Sequence, residues 1–298
     1  MSGIGDTVSG GLGGLACVLI GQPLDTIKVK MQTYPAMYTS TLQALKTTLL
    51  EERFRGFYAG SSPAVISNIA ENAVLFMCYN KCLSLVQWIG GNEELSITQK
   101  ASAGSLASVF SSVAITPPDQ IKCKMQAYVQ TLQTKHPNTS VEEILAKNRV
   151  NMWMIIKQIV REDGVTGLFR GLTSTWAREV PGYFFFFGGY HFSRKMLTPQ
   201  GQDPNDLSVP RLVLAGGIAG CGYWTSVFPT DTVKSRIQVR GEYSNSFWKT
   251  LTTIVRTEGV LTLYKGLTPM IVRSFPANGA LFVTYEYSRK LFQSETST

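Results

Sequence analysis

Three segments of this chain are near-copies: Pro23-Leu24-Asp25-Thr26-Ile27-Lys28-Val29-Lys30-Met31-Gln32, Pro117-Pro118-Asp119-Gln120-Ile121-Lys122-Cys123-Lys124-Met125-Gln126 and Pro229-Thr230-Asp231-Thr232-Val233-Lys234-Ser235-Arg236-Ile237-Gln238. A unit used three times must bury its apolar face against its neighbours, so the three copies predict one body rather than three. From the motif proline to a downstream glycine the spacing is 37 residues in the first copy (Gly60), 54 in the second (Gly171) and 37 in the third (Gly266), so the middle copy carries 17 extra residues. From that glycine to a tyrosine the spacing is 19 each time, at Tyr79, Tyr190 and Tyr285. The expected organisation is a single domain over 1–298, with repeats at 1–91, 92–203 and 204–298 and an insertion at about 128–146 that reads as a solvated loop.

Six apolar but polar-punctuated segments, roughly 4–32, 61–88, 97–127, 172–195, 207–238 and 267–291, alternate with amphipathic stretches near 39–51, 147–162 and 245–257. None of the six is an uninterrupted apolar run of about 20 residues, and the mean hydropathy is only +0.04. Charges inside such segments are expected to face a shared aqueous interior, because intramembrane ions avoid lipid. The expected fold is therefore an all-α membrane protein, its helices ringed around a central cavity, with three short amphipathic helices at the surface.

The net charge of +8 comes without a basic run or a nucleic-acid motif, which points to a surface beside anionic lipid rather than to nucleic acid. Five scattered cysteines indicate neither a disulfide framework nor a metal site. The first residues lack a basic region ahead of the apolar stretch, so no cleaved targeting peptide is expected. With His136 and His191 as its only histidines and no phosphate loop or nucleophile arrangement, the chain does not read as an enzyme, and no cofactor is expected.

Proline in a helix interior removes a hydrogen bond and bends the helix, so Pro23, Pro117 and Pro229 are expected to bend three equivalent helices towards a common axis. Asp25 and Lys28, Asp119 and Lys122, and Asp231 and Lys234 then lie where each acid can reach the base of another copy and close a ring. Gln32, Gln126 and Gln238 follow one turn later, within reach of the pairs. Exposed pairs contribute only about 0–1 kcal/mol each, which suits a gate that breaks and re-forms.

Proline, acid, base and glutamine at these offsets, three times over and each with its downstream glycine, resemble the mitochondrial carrier family across essentially the whole chain. The resemblance implies six tilted transmembrane helices around the cavity, three surface helices on the matrix side, a home in the mitochondrial inner membrane and both termini in the intermembrane space. It also implies lipid partners, cardiolipin among them, and a monomeric transporter. A second family ring is expected near the tyrosines. Tyr285-Glu286-Tyr287-Ser288-Arg289 fits it, Tyr190-His191-Phe192-Ser193-Arg194 has histidine for the acid, and Tyr79-Asn80-Lys81-Cys82-Leu83 lacks both charges. A weak cytosolic gate from Arg194, Glu286 and Arg289 is the expectation.

Counting from Gly60, Gly171 and Gly266, the positions seven on are Ser67, Arg178 and Arg273, eight on Asn68, Glu179 and Ser274, and eleven on Glu71, Gly182 and Ala277. Charges that break the symmetry are assigned to substrate: Glu71, Arg178, Glu179 and Arg273, with Asn68 beside them and Trp224 as a wall or cation–π face. Arg273 or Arg178 can grip an α-carboxylate with paired hydrogen bonds, and Glu71 and Glu179 can take two ammonium groups. Being adjacent on a helix, Arg178 and Glu179 are expected to point apart. A zwitterion with an extra cation fits best. The blocks around Glu71, Arg178 and Arg273 resemble the ornithine-carrying branch of the family, which implies exchange of cytosolic ornithine for matrix citrulline, with arginine and lysine as further substrates. A nucleotide carrier and a proton-leak carrier remain alternatives on the same fold.

Overall fold

The computed structural model describes residues 2–90, 96–147, 150–198, 209–239 and 246–295. Its described residues form helices and turns, with no strand among them. Six are long: α1 (Ser2–Thr33), α4 (Ser61–Gly90), α5 (Ile97–Gln126), α9 (Leu172–Leu197), α10 (Val209–Val239) and α12 (Leu267–Glu295). Each packs on its neighbours in chain order and α12 returns to α1, so the six close into a barrel. At about 1.5 Å of rise per residue, even the 26-residue α9 exceeds the roughly 30 Å of a bilayer core. By composition, only Ser9–Thr33 among the described residues is apolar enough to read unaided as a membrane span.

Pro23, Pro117, Pro118 and Pro229 all lie inside helices, Pro23, Pro117 and Pro229 two residues before the ring acids of α1, α5 and α10 and Pro118 directly before Asp119. Beyond them sit the shorter helices α2 (Thr41–Glu51), followed directly by the one-turn α3 (Arg53–Phe57), α8 (Met152–Asp163) and α11 (Phe247–Glu258), within or beside the amphipathic stretches. Ser40 and Asn151 cap α2 and α8, accepting from the backbone N–H of Gln43 and Met154 at 3.2 and 2.8 Å, and so satisfy amides that a helix start leaves unpaired. Gly164 and Gly259 end α8 and α11 with φ of 72° and 87°. Each short helix docks apolar residues on a motif end: Ile155 and Ile159 on Ile121, Ile254 on Val233 and Ile237, and Ala44 in a larger cluster with Ile27, Val29 and Phe57.

The repeat glycines explain themselves here. Gly60, Gly171 and Gly266 have φ of 75°, 83° and 92°, a conformation that costs side-chain-bearing residues roughly 1–2 kcal/mol. A Cβ would stand 3.0 Å from the Lys122 carbonyl oxygen at Gly60, 3.2 Å from the Lys28 carbonyl oxygen at Gly266 and 3.2 Å from the Gln238 side chain at Gly171. The chain therefore turns back into the barrel where it meets the ring of another repeat.

The insertion is not the expected solvated loop. Residues Tyr128–Lys135 form α6 and Val141–Lys147 form α7. No glycine or proline interrupts Tyr128–Lys135, so the helical path continues after a break at Ala127. Its polar residues find partners inside. Buried Gln130 donates from Nε2 to the Tyr38 hydroxyl at 2.8 Å and to Glu52 at 2.9 Å, and Thr131 meets the Tyr34 hydroxyl at 2.8 Å. Burial, and then Glu52, push the Tyr38 phenol well above its ordinary pKa, so it stays a neutral partner. Glu52 also holds Lys30 at 2.5 Å, an ion pair with both ends buried.

Breaking a buried pair from one side costs about 3–5 kcal/mol because it strands a charge, whereas an apolar replacement of both partners is often neutral. Glu52→Leu is therefore expected to lower the thermal unfolding midpoint strongly, and adding Lys30→Met is expected to restore most of it. A double variant no more stable than Glu52→Leu would contradict that reading of the pair.

Candidate functional site: a charged cavity above a closed ion-pair ring

The bends of α1, α5 and α10 bring the three acids and three bases of the motif together. Lys28 lies 2.6 Å from Asp231, Lys122 3.1 Å from Asp25 and Lys234 2.5 Å from Asp119. Each pair joins two different repeats, and together they close a circuit through all three. Of the glutamines, only Gln32 bonds a ring carboxylate among the described residues, donating to Asp231 at 2.7 Å while accepting from Ser235 at 2.8 Å. Gln126 instead donates to the Thr26 hydroxyl at 3.2 Å. Gln238 lies under Gly171, and among the described residues neither end of its amide has a hydrogen-bond partner. The triplicate glutamine thus has three local roles, set by what each neighbouring repeat presents.

Over the ring opens a cavity of about 910 Å³, counted to its open mouth. Five carboxylates (Asp25, Asp119, Asp231, Glu71, Glu179) and five cations (Lys28, Lys122, Lys234, Arg178, Arg273) line it, so its formal charge is zero. Asn68 and Trp224 also face it. Every residue assigned to substrate from the sequence is therefore on one wall or another of this cavity.

The arginines are not idle. Arg273 Nε lies 2.8 Å from Asp25, the acid that also meets Lys122. Arg178 donates to Asp231 at 3.1 Å and comes within 3.7 Å of Asp119. It also pairs with Glu179, contrary to the expectation that adjacent helical residues point apart: the long side chain curls back over its own helix to reach the neighbouring carboxylate. The cavity thus continues into the ring, since both arginines hold ring aspartates.

Trp224 lines the cavity, and its present cation is the protein's own. Its ring is met by the Lys28 ammonium, 4.7 Å from the centroid, and packs edge-on against Tyr223 at 5.1 Å. Its cation–π partner in this arrangement is a ring lysine. The side chains of Arg194, Glu286 and Arg289, expected to form a cytosolic gate, and of His191 lie outside the described residues.

Three participants escaped the sequence reading. Tyr183 donates its hydroxyl to Glu71 at 2.8 Å, Ser67 donates to Asp119 at 2.7 Å, and the Tyr223 hydroxyl lies 3.4 Å from Glu179. Two glycines make room for them and for Arg273. A Cβ on Gly21 would collide with the Arg273 guanidinium, and one on Gly182 would stand 2.5 Å from the Tyr223 ring. Gly182 is the repeat-two counterpart of Glu71, and that missing side chain was the available signal that something large fills its place.

Glu71 is the exception in the network. Alone among the five carboxylates, it has no cation within 4.0 Å among the described residues. Its hydrogen-bond partner among the described residues is neutral, the Tyr183 hydroxyl.

Asp231 answers to Lys28, Arg178 and Gln32 and is almost fully buried, whereas the Lys122–Asp25 pair is longer and more open. Asp231→Asn is expected to lower the unfolding midpoint more than Asp25→Asn does, because it takes the carboxylate from buried Lys28, whereas the Lys122–Asp25 pair is open enough for water to take over. Equal effects in detergent would contradict this ranking.

The chain matches the family described as mitochondrial carrier protein three times, over residues 1–89, 93–201 and 205–296. It is 46% identical over 296 residues to mitochondrial ornithine transporter 1 of Rattus norvegicus, covering 97% of this chain and 95% of the rat protein. The Mus musculus protein of that name is 45% identical over 97% of this chain and 95% of its own length. The mitochondrial carnitine/acylcarnitine carrier protein of Mus musculus is 35% identical, covering 95% of this chain and 92% of its own length. With three matches spanning nearly all of its length, the chain belongs to the mitochondrial carrier family and is a transport protein of the mitochondrial inner membrane.

Proposed function

We propose that this carrier exchanges basic amino acids, ornithine from the cytosol for citrulline from the matrix, with arginine and lysine as further substrates. The observation that carries this reading is Glu71: a carboxylate facing a charge-neutral cavity, oriented by a tyrosine and with no cation within 4.0 Å among the described residues. An incoming ammonium supplies what it lacks. Arg273 or Arg178 takes the α-carboxylate, a group whose two oxygens match a guanidinium fork. Glu179 offers a second anionic contact for the remaining ammonium. The likeness to ornithine transporters at 45–46% identity, against 35% for a carnitine carrier, supports the same choice.

In this reading the six long helices span the membrane, both termini face the intermembrane space and the ion-pair ring faces the matrix. The ring closes that side. A substrate carboxylate on Arg178 or Arg273 competes with Asp231 or Asp25, so loading the cavity loosens the ring and lets the helices rock at Pro23, Pro117 and Pro229. Arg194, Glu286 and Arg289 close the opposite side. An empty cavity leaves the arginines on the aspartates, which favours exchange over one-way flux. One chain suffices, since three repeats already complete the barrel, and anionic inner-membrane lipids such as cardiolipin surround it.

The test is uptake of labelled ornithine by liposomes containing the purified protein and loaded with citrulline, ornithine, carnitine, ADP, malate or buffer. Uptake driven by the amino-acid loads alone is expected. Uptake driven by carnitine or ADP, or indifferent to the load, would overturn the substrate. Glu71→Gln is expected to lower ornithine uptake roughly tenfold or more, since a hydrogen bond to a charged group contributes about 1.5–3 kcal/mol. Undiminished uptake would remove Glu71 from the substrate site.

A further inference from the structure

Twelve residues on from the repeat glycines stand Asn72, Tyr183 and Asn278. The first two are spent within the protein. Asn72 donates to the Asn68 backbone carbonyl at 2.8 Å, and Tyr183 donates to Glu71 at 2.8 Å. Asn278 has no hydrogen-bond partner among the described residues, although it is half-buried.

Its side chain lines a chamber of about 650 Å³, counted to its open mouth, that shares Glu71, Glu179 and Arg273 with the central cavity. Because α12 starts beside the ring, Asn278 lies five residues, about 7.5 Å at 1.5 Å of rise each, further from the ring than Arg273. Phe186 and Ala277 give the chamber apolar walls. Ser274 adds a hydroxyl that gives its proton to the Met270 carbonyl at 2.9 Å and so keeps only its accepting side for a ligand. Across from them Gly220 leaves the space open: a Cβ there would stand 3.1 Å from the Ser274 hydroxyl oxygen and 3.8 Å from Asn278 Nδ2.

Given the ornithine-for-citrulline exchange proposed above, on which this rests, we propose that Asn278 selects the substrate whose side chain ends in an uncharged ureido group. The two substrates then share one grip on the α-carboxylate and differ in where the side chain ends. An ammonium donates and never accepts, so the far end of ornithine is served by Glu71 or Glu179. A ureido group does both, and a carboxylate can satisfy only its N–H groups. The Asn278 carboxamide also does both, so the two planar groups can exchange a pair of hydrogen bonds, with the Ser274 oxygen free to accept one more. Length agrees with this placement. The ureido carbon of citrulline is five bonds, about 6 Å, from its α-carbon, which brings it level with Asn278 when the carboxylate is on Arg273.

The test uses liposomes containing the full-length protein and loaded with ornithine, in which uptake of labelled citrulline and of labelled ornithine is followed over a range of concentrations. The readout is the ratio of the two half-saturation concentrations, citrulline over ornithine, which does not depend on how much folded protein each preparation contains. Asn278→Leu is expected to raise that ratio roughly tenfold, as the loss of two neutral hydrogen bonds implies. Asn278→Asp keeps the size and polarity of the side chain, removes its donor and adds a charge that draws an ammonium, so it is expected to move the ratio the same way. A ratio unchanged in both variants would overturn the role of Asn278 and leave the exchange standing. An unaltered protein that takes up neither amino acid would overturn the exchange, and this selection with it.

Discussion

The ring aspartates each serve two masters. Asp25 answers to Lys122 and to Arg273, Asp231 to Lys28 and to Arg178, and Asp119 to Lys234 with Arg178 at longer range. Everything else in the barrel is arranged around that sharing. The prolines aim three helices at one axis, the left-handed glycines turn the chain back beside the ring, and the short helices hold the motif ends from outside. A ring held only by its own lysines would be indifferent to what fills the cavity. One whose acids also hold cavity arginines is coupled to it through charge.

Symmetry and its violations divide the labour. Threefold features, the ring pairs and the apolar docking of α2, α8 and α11, make the scaffold. The exceptions carry chemical individuality: Glu71 where repeat two has Gly182 and repeat three Ala277, Arg178 and Arg273 where repeat one has Ser67, and Lys124, with no carboxylate within 4.0 Å among the described residues, between the paired Lys30 and Arg236. A half-buried carboxylate with no cation within 4.0 Å among the described residues is costly. Tyr183 offsets part of that cost at Glu71 without neutralising it.

The offsets made the ring legible in advance, because proline, acid and base at fixed spacing on a helix leave few places for those charges to go. The membership of the cavity was legible for the same reason. What sequence could not give was the choice of partners. Arg178 is long enough to reach three carboxylates, and only the packed geometry decides among them. Trp224 likewise could face substrate or lysine. The insertion misled because Gln130 and Thr131 look like solvent residues, and nothing local reveals that Tyr34, Tyr38 and Glu52 wait a repeat away. The pairs of Lys30 with Glu52 and of Arg236 with Glu258 were visible as a shared spacing of 22 residues, but become meaningful only once the short helices fold back.

The most direct measurement of the coupling between cavity and ring is the equilibrium dissociation constant of labelled ornithine for the purified protein and for Asp25→Asn. Removing that carboxylate releases Arg273 for the substrate and opens the longest of the three ring pairs. If ring and substrate compete for the arginine, Asp25→Asn binds ornithine more tightly than the unaltered protein. Unchanged or weaker binding by a folded variant would mean that Arg273 serves the ring alone.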